Sequence, residues 1–127
     1  MKVIVAGGRD FNNYSVVRQI LSKLIDPEAD TIICGDARGA DMQGAMYASQ
    51  YGIPIQHFPA YWDTYGKTAG FIRNAEMGDY ADCAIIFWDG QSHGTKHMIE
   101  TMKRLKKPYC IYNYDGNLIE RRGMYYG

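Results

Sequence analysis

Cysteine, proline, histidine and net charge are all scarce in this chain of 127 residues. It has three cysteines, four prolines and three histidines, and its 14 Lys+Arg balance its 14 Asp+Glu. A formal charge of zero argues against a protein whose affinity comes mainly from neutralising nucleic-acid phosphates. The 46% of apolar and 22% of charged residues exclude disordered and low-complexity chains. The composition predicts one globular domain over residues 1–127, since a domain takes about 100–150 residues.

The cysteines are too few and too far apart to form a disulfide framework or a zinc motif. Cys34, Cys83 and Cys110 are an odd number, and none stands in a CxxC or a Cys/His ligand spacing. Each lies within an apolar run, which favours a buried structural thiol. We expect no bound metal and no cofactor.

Long apolar runs are missing as well. No window approaches the roughly 18 apolar residues of a membrane span. The first apolar run is interrupted at Gly7, which is too soon for a signal peptide. We therefore expect a cytoplasmic protein without membrane association.

Short β-branched runs alternate along the chain with segments of helical periodicity. The patterns predict strands at residues 3–6, 31–34, 53–58, 83–88 and 108–112, and helices near residues 16–25, 40–51, 68–80 and 96–106. Asn13 or Ser15 is the expected cap of the first helix, and residues 117–127 are expected to form a tail. Such alternation predicts an α/β, three-layer Rossmann-like fold: a mostly parallel sheet of about five strands with helices on both faces. Ligands of such sheets bind beyond the carboxyl ends of the strands, near the reversal of strand order.

Two glycine-rich segments that follow predicted strands carry arginine. Residues 7–11 read GGRDF, and residues 35–41 read GDARGAD. Glycine lets backbone N–H groups approach a ligand, arginine binds phosphate, and a helix N-terminus attracts anions. The candidate ligand-binding residues in these two segments are Gly8, Arg9, Asp10, Gly35, Ala37, Arg38, Gly39 and Asp41. A turn with a surface Arg–Asp pair is the alternative for the first segment, and a helix cap or a partner for Arg38 or Arg9 is the alternative for Asp41.

A third segment, residues 59–77, joins an aromatic loop to a predicted helix. Tyr61, Trp62 and Tyr65 could cover a planar base. Arg73 and Asn74 lie mid-helix and reach a site only if this helix runs along its rim. The alternative for Arg73 is a solvated helix face.

The fourth segment follows the most continuous apolar run and reads DGQSHGT over residues 89–95. Ser92, Gly94 and Thr95 offer hydroxyls and backbone donors that suit phosphate or ribose at a helix start, although Thr95 could also be an N-cap. His93 and His97 have the i, i+4 spacing of two metal ligands, but no HExxH motif and no third ligand accompany them. Ser92 is not in a GxSxG motif, no cysteine lies at a predicted turn, and no Ser/His/Asp set can be chosen above chance, so the catalytic residues are unknown.

In this order, the four segments resemble the YspA-like branch of the SLOG superfamily, whose relatives include the DprA/Smf DNA-processing proteins and the lonely-guy phosphoribohydrolases. The resemblance covers about residues 2–112 and includes KKP at 106–108. It implies a Rossmann-like sheet and a pocket for a nucleotide or nucleotide-derived small molecule. Arg73 and Asn74 would orient that ligand, and Trp88 or Tyr65 would stack on the base. Family members include both enzymes and sensors.

Two departures from the family pattern bear on activity. Asp36 stands where the second loop usually has glycine. The phosphoribohydrolases pair an arginine, retained here as Arg73, with a glutamate whose position is taken by Met98. Glu100 lies about 200° further round the helix and cannot simply replace it. We therefore expect a sensor, carrier or sequestering protein rather than an enzyme.

Two alternative functions and the possibility of a homo-oligomer remain open. A phosphoribohydrolase or related N-glycosidase would use Asp89, Asp41 or Asp10 in place of the glutamate. DNA handling, the third hypothesis, would use the basic residues Lys103, Arg104, Lys106 and Lys107, although the zero formal charge argues against nucleic acid as a partner. A homo-oligomer could form through the tyrosines of the C-terminal part, Tyr112, Tyr114, Tyr125 and Tyr126.

Overall fold

A computed structural model describes residues 1–123 and contains a six-stranded sheet with helices on both faces. The strands are β1 (Lys2–Gly7), β2 (Thr31–Cys34), β3 (Ile55–His57), β4 (Cys83–Phe87), β5 (Tyr109–Tyr112) and β6 (Leu118–Arg122). The helices are α1 (Tyr14–Leu24), α2 (Ala40–Gln50), α3 (Trp62–Tyr65), α4 (Ala69–Tyr80) and α5 (His93–Leu105), with a 3-10 turn at Gly66–Thr68. Tyr125 and Tyr126, named above for an interface, lie outside the described residues.

The strand order is β3-β2-β1-β4-β5-β6. β1 lies parallel to both β2 and β4, and β5 lies parallel to β4. The predicted α/β, mostly parallel, Rossmann-like fold is therefore confirmed. Strand order reverses between β1 and β4, because the chain builds outward to β3 before it returns to the other side of β1.

The sheet has one more strand than the five expected. β6 pairs antiparallel with β5 within the segment that the sequence predicted to be a tail. The residues of β6 read LIERR, a sequence without the alternation of apolar and polar residues that marks a strand. Most of them are exposed in the structure. The turn before it is as expected, with Gly116 at a φ of 89°.

The core forms two layers, one on each face of the sheet. Val3, Val5 and Ile32 face α1 and α2, whereas Ile4, Ile33 and Ile86 face α4 and α5. Every residue of β4 is buried, as the continuous apolar run predicted. No helix within residues 1–123 combines the length and the apolar character needed to cross a bilayer.

Helix starts follow local capping chemistry. The Asn13 side chain accepts from Val16 N at 3.3 Å and caps α1, in agreement with one of the two caps considered. α5 begins before the predicted residue 96 because Ser92 is its N-cap, with Ser92 Oγ accepting from Thr95 N. Thr95 is thus a buried residue of the first turn and not the cap. The short helix α3 was not predicted.

The close packing of α2 against β1 at Gly44 can be tested by adding a methyl group there. A Cβ at Gly44 would lie 2.7 Å from Val5 Cγ1 and 2.9 Å from Val5 Cβ, whereas a Cβ at Gly94 would meet no atom within 4 Å. We expect Gly44→Ala to lower the free energy of unfolding by about 1–3 kcal/mol through overpacking. Gly94→Ala, the control, should change it by less than about 1 kcal/mol. Urea denaturation measures both, and equal effects would contradict the packing described.

Candidate functional site

A cavity of about 490 Å³ opens at the carboxyl ends of β1 and β4. Gly7 at the end of β1 and Asp89 just after β4 both line it. This is the place where the strand order reverses, and where the loops after neighbouring strands diverge to leave a crevice. The cavity therefore has the position that ligand sites take in open α/β sheets.

All four sequence segments contribute to the cavity wall. The predicted ligand-binding residues that line it are Arg9, Asp10, Ala37, Asp41, Arg73, Asn74, Ser92, Gly94 and Thr95. Trp62, from the aromatic loop, lines it as well. The sequence reasoning did not assign Lys67, Phe71, Gln91 or His93 to the site, although all four lie within the segments it singled out.

Three predicted glycines support the site without lining it. Gly8 O accepts hydrogen bonds from Phe11 N and Ala40 N, both at 3.2 Å, and so joins the first loop to the start of α2. Gly39 has a φ of 76°, and a Cβ there would lie 2.2 Å from Gly8 O. Gly35 O accepts from Arg73 Nη1. These glycines allow the loops to approach each other closely.

Two other predicted residues lie away from the cavity lining. Arg38 is exposed, so the three motif arginines do not converge: Arg9 and Arg73 line the cavity and Arg38 does not. Trp88 is half-buried, and its Nε1 donates to Ser92 O at 3.1 Å. Trp88 therefore supports the loop before α5 and is not a wall of the cavity.

Arg73 and Asn74 connect three elements around the cavity. Arg73 Nη1 donates to Gly35 O after β2, and Arg73 Nε donates to Asn74 Oδ1 at 3.1 Å. Asn74 Nδ2 donates in turn to Gly94 O at 3.2 Å, at the start of α5. Asn74 is 6% exposed. α4 thus runs along the rim, as its two polar residues required, and Arg73 is not on a solvated face.

Asp41 is a buried carboxyl group beside Arg73. It is 5% exposed and accepts from Ala37 N at 3.3 Å. Burial raises its pKa to about 6, although the Arg73 charge and backbone N–H groups oppose the rise. Neither alternative weighed for Asp41 is found, because the cap position of α2 is Gly39 and the neighbouring cation is Arg73.

The carboxylates of the first and fourth segments organise their own loops. Asp89 Oδ1 accepts from Gln91 N at 2.8 Å and Ser92 N at 2.9 Å, and these bonds hold its pKa below the usual range. Asp10 Oδ1 accepts from the Tyr114 hydroxyl at 2.6 Å. Both carboxyl groups lie on the cavity wall, where their oxygens accept hydrogen bonds.

The aromatic wall consists of Trp62 and Phe71. The Arg9 guanidinium lies 5.7 Å from the centre of the Trp62 ring, within cation–π range. Phe71 stacks on His97 with ring centres 4.3 Å apart. Tyr65, the other aromatic considered for stacking, is 46% exposed and is not part of the lining.

Met98 and Glu100, the two residues that the sequence analysis compared with the phosphoribohydrolase glutamate, both lie in α5. Met98 is 1% exposed and lines the cavity with an apolar side chain. Glu100 is exposed and pairs with Lys96 at 4.0 Å.

Potential metal ligands come together outside the cavity. Within residues 1–123, the three-residue group whose donor atoms lie close enough to share an ion is Cys34, Asp36 and His57, within 4.8 Å of one another. His93 and His97 are in no such group. Asp36 does not line the cavity, so its carboxylate does not face a ligand there.

Comparisons with known proteins agree with this architecture. A protein of Mycobacterium phage D29 described as "Gene 61 protein" is 28% identical over 115 residues, covering 84% of this chain and 92% of its own length. The X-ray structure of DNA processing protein A (DprA) from Streptococcus pneumoniae superposes with a TM-score of 0.72 at 18% identity, over 88% of this chain and 49% of that one. The chain thus spans about half the length of DprA, and the likeness shows a shared fold.

The first half of the chain carries the family signature. The sequence model of the YAcAr family matches residues 1–65, which include β1, β2, both glycine-rich loops and α3. The chain therefore belongs to the YAcAr family, described as the YspA, cpYpsA-related SLOG family.

Proposed function

We propose that the protein binds a nucleotide or nucleotide-derived small molecule in the cavity and acts as a sensor, carrier or sequestering protein. The observation that carries the proposal is the cavity at the reversal of strand order, with Arg9, Arg73 and the start of α5 in its wall. Its volume lies within the range of about 300–1,000 Å³ that is usual for small-molecule sites.

The charges around the cavity suit a small anion that also carries hydroxyl groups. Arg9, Lys67 and Arg73 supply positive charge, while Asp10 and Asp89 supply hydrogen-bond acceptors close to them. A polyanion would be repelled by those carboxylates, whereas one or two phosphates can face the arginines and ribose hydroxyls can donate to the carboxylates.

Each part of a nucleotide has a matching part of the wall. The first turn of α5 is open at Gly94, where no atom lies within 4 Å of a Cβ position, and a helix N-terminus attracts phosphate. The Arg9 guanidinium lines the same cavity and could contact an anion there. Trp62 and Phe71 offer apolar ring faces for a base.

Hydrolysis of a base–ribose bond is the second candidate, because Asp41 is a buried carboxyl group with a perturbed pKa in the cavity. Its carboxylate would accept a proton from the water whose oxygen bonds to C1′. The C1′–N bond breaks, and the base leaves with that electron pair and takes up a proton from solvent. Asp89 is less suited to proton transfer because hydrogen bonds already hold it ionised.

DNA handling, suggested by the name of the DprA relative, has less support. Lys107, part of the basic cluster, donates to the carbonyls of Gly78, Asp79 and Ala81 at 2.7, 2.9 and 2.8 Å. Its ammonium group thus ends α4 rather than facing solvent as a phosphate contact. A cytoplasmic location and a homo-oligomer stay predictions.

Calorimetric titration tests the leading proposal. Mononucleotides, NAD, ADP-ribose and cyclic nucleotides are titrated into the wild type, Arg9→Ala and Arg18→Ala. We expect Arg9→Ala to weaken the best ligand about 10-fold to 100-fold, since it removes a charge-assisted contact. Arg18 is exposed on α1 and does not line the cavity, so Arg18→Ala makes the same change of charge outside the lining and should bind like the wild type. If the folded wild type gives no heat of binding with any of these ligands at millimolar concentration, the proposal is overturned.

Release of free base separates binding from catalysis. Under the leading proposal, AMP incubated with the protein yields no adenine by chromatography. Release that persists through purification and disappears in Asp41→Asn would replace the proposal with the hydrolase.

The raised pKa of Asp41 also predicts how stability varies with pH. Between the ordinary value of 3.8 and the folded value of about 6, the folded state binds more protons than the unfolded state. The free energy of unfolding contributed by Asp41 therefore falls as pH rises through this window, by an amount on the order of 3 kcal/mol. Asp41→Asn should remove this pH-dependent contribution. As the pH rises from 4 to 7, the free energy of unfolding of the variant, measured by urea denaturation, should therefore increase relative to that of the wild type. Parallel pH curves for the two proteins would show that Asp41 titrates normally.

A further inference from the structure

Cys34, Asp36 and His57 come together at the outer part of the sheet. β2 and β3 are parallel, and their register pairs Cys34 with His57, so the two side chains leave the same face side by side. Asp36 follows Cys34 by two residues and adopts a φ of 61°, which turns its carboxylate onto the imidazole. Residues of two strands and one loop thus converge on one point.

A single imidazole nitrogen faces both of the other groups. His57 Nδ1 lies 3.6 Å from Cys34 Sγ and also contacts Asp36 Oδ1. A catalytic Cys–His–Asp relay needs the two ring nitrogens on different partners, one for the nucleophile and the other for the carboxylate. This arrangement is different, because the sulfur, nitrogen and oxygen atoms all lie within 4.8 Å of one another.

We propose that Cys34 Sγ, His57 Nδ1 and the Asp36 carboxylate bind one divalent transition-metal ion of the zinc type. Zinc–sulfur and zinc–nitrogen bonds of about 2.3 and 2.0 Å at a tetrahedral angle place the two ligand atoms about 3.5 Å apart. The observed separation of Sγ and Nδ1 is 3.6 Å. Two protein anions would balance the charge of the ion.

The donor set and its exposure decide which ions fit and how they enter. Thiolate, imidazole and carboxylate together suit zinc or cobalt, whereas calcium and magnesium require oxygen ligands. Cys34 is 1% exposed, but the Asp36 and His57 side chains are 41% and 48% exposed, so the ion enters from their side. A fourth position remains open to water.

Binding of the ion is coupled to loss of a proton. Burial raises the pKa of the Cys34 thiol to about 11, so the metal-free protein carries a protonated thiol at neutral pH. The ion displaces that proton as the metal–sulfur bond forms, and apparent affinity therefore rises with pH.

The site is separate from the nucleotide proposal. None of its three residues lines the cavity, although Gly35, between Cys34 and Asp36, bonds to Arg73. Either proposal can therefore fail without the other. Metal-free Asp36→Gly should bind nucleotides as the metal-free wild type does.

Cobalt spectroscopy and zinc calorimetry test the site on tag-free, reduced protein stripped of metal. We expect one Co²⁺ per chain with a thiolate-to-cobalt charge-transfer absorption, displaced by Zn²⁺ because zinc binds more tightly. Asp36→Gly suits the positive φ, and His57→Gln changes an exposed side chain, so both should fold. Each should weaken zinc binding at least about 10-fold, since one of three ligands is lost.

Asp79→Asn, an exposed carboxylate at the end of α4, is the control and should bind as the wild type does. Cys34→Ser should lose the charge-transfer absorption, and its thermal unfolding reports whether the buried substitution is tolerated. Absence of that absorption in the wild type would overturn the proposal. Zinc affinities of Asp36→Gly and His57→Gln equal to that of Asp79→Asn would also overturn it and leave only the hydrogen-bonded contact of Asp36 with His57.

Discussion

The parallel pairing of β1 with both β2 and β4 is the constraint on which the rest of the structure depends. This pairing places the reversal of strand order at the centre of the sheet. The segment after β1 leads to a helix on one face of the sheet, and the segment after β4 leads to a helix on the opposite face. Gly8 N donates to Phe87 O and Gly8 O accepts from Ala40 N, both at 3.2 Å, so the first loop is held between β4 and α2. The cavity is the space that these connections leave beside them.

A second set of contacts positions the part of the cavity wall that α4 provides. Arg73 and Asn74 join α4 to the loop after β2 and to the start of α5. Because Arg73 is tied by its hydrogen bonds and lies next to buried Asp41, it is partly neutralised before any ligand arrives. Arg9 contacts the Trp62 ring face and, under the proposed function, would direct its hydrogen-bond donors to an anion. The two arginines of the cavity therefore differ in role: one positions the wall and the other is suited to bind.

Local patterns predicted the fold well, because β-branched runs ended by glycine and helices of regular apolar period are properties of neighbouring residues. The sequence showed no sign of features that depend on contacts between residues distant along the chain. β6 is a strand because β5 offers it an edge, and its own sequence gives little sign of that. His57 had no partner along the sequence, yet the register of β2 and β3 places Cys34 beside it. Arg38 and Trp88 were assigned to the site by their position in motifs, but side-chain direction depends on how each loop closes.

Mapping a nucleotide onto the sheet by NMR tests the central claim most directly. In a titration of isotopically labelled protein with AMP, the account predicts amide shifts concentrated at residues 7–10, 37–41 and 89–95, beyond the carboxyl ends of β1, β2 and β4, with the N-terminal ends of the strands unchanged. Shifts confined to the opposite edge of the sheet, or to the basic end of α5, would contradict a ligand site at the reversal of strand order.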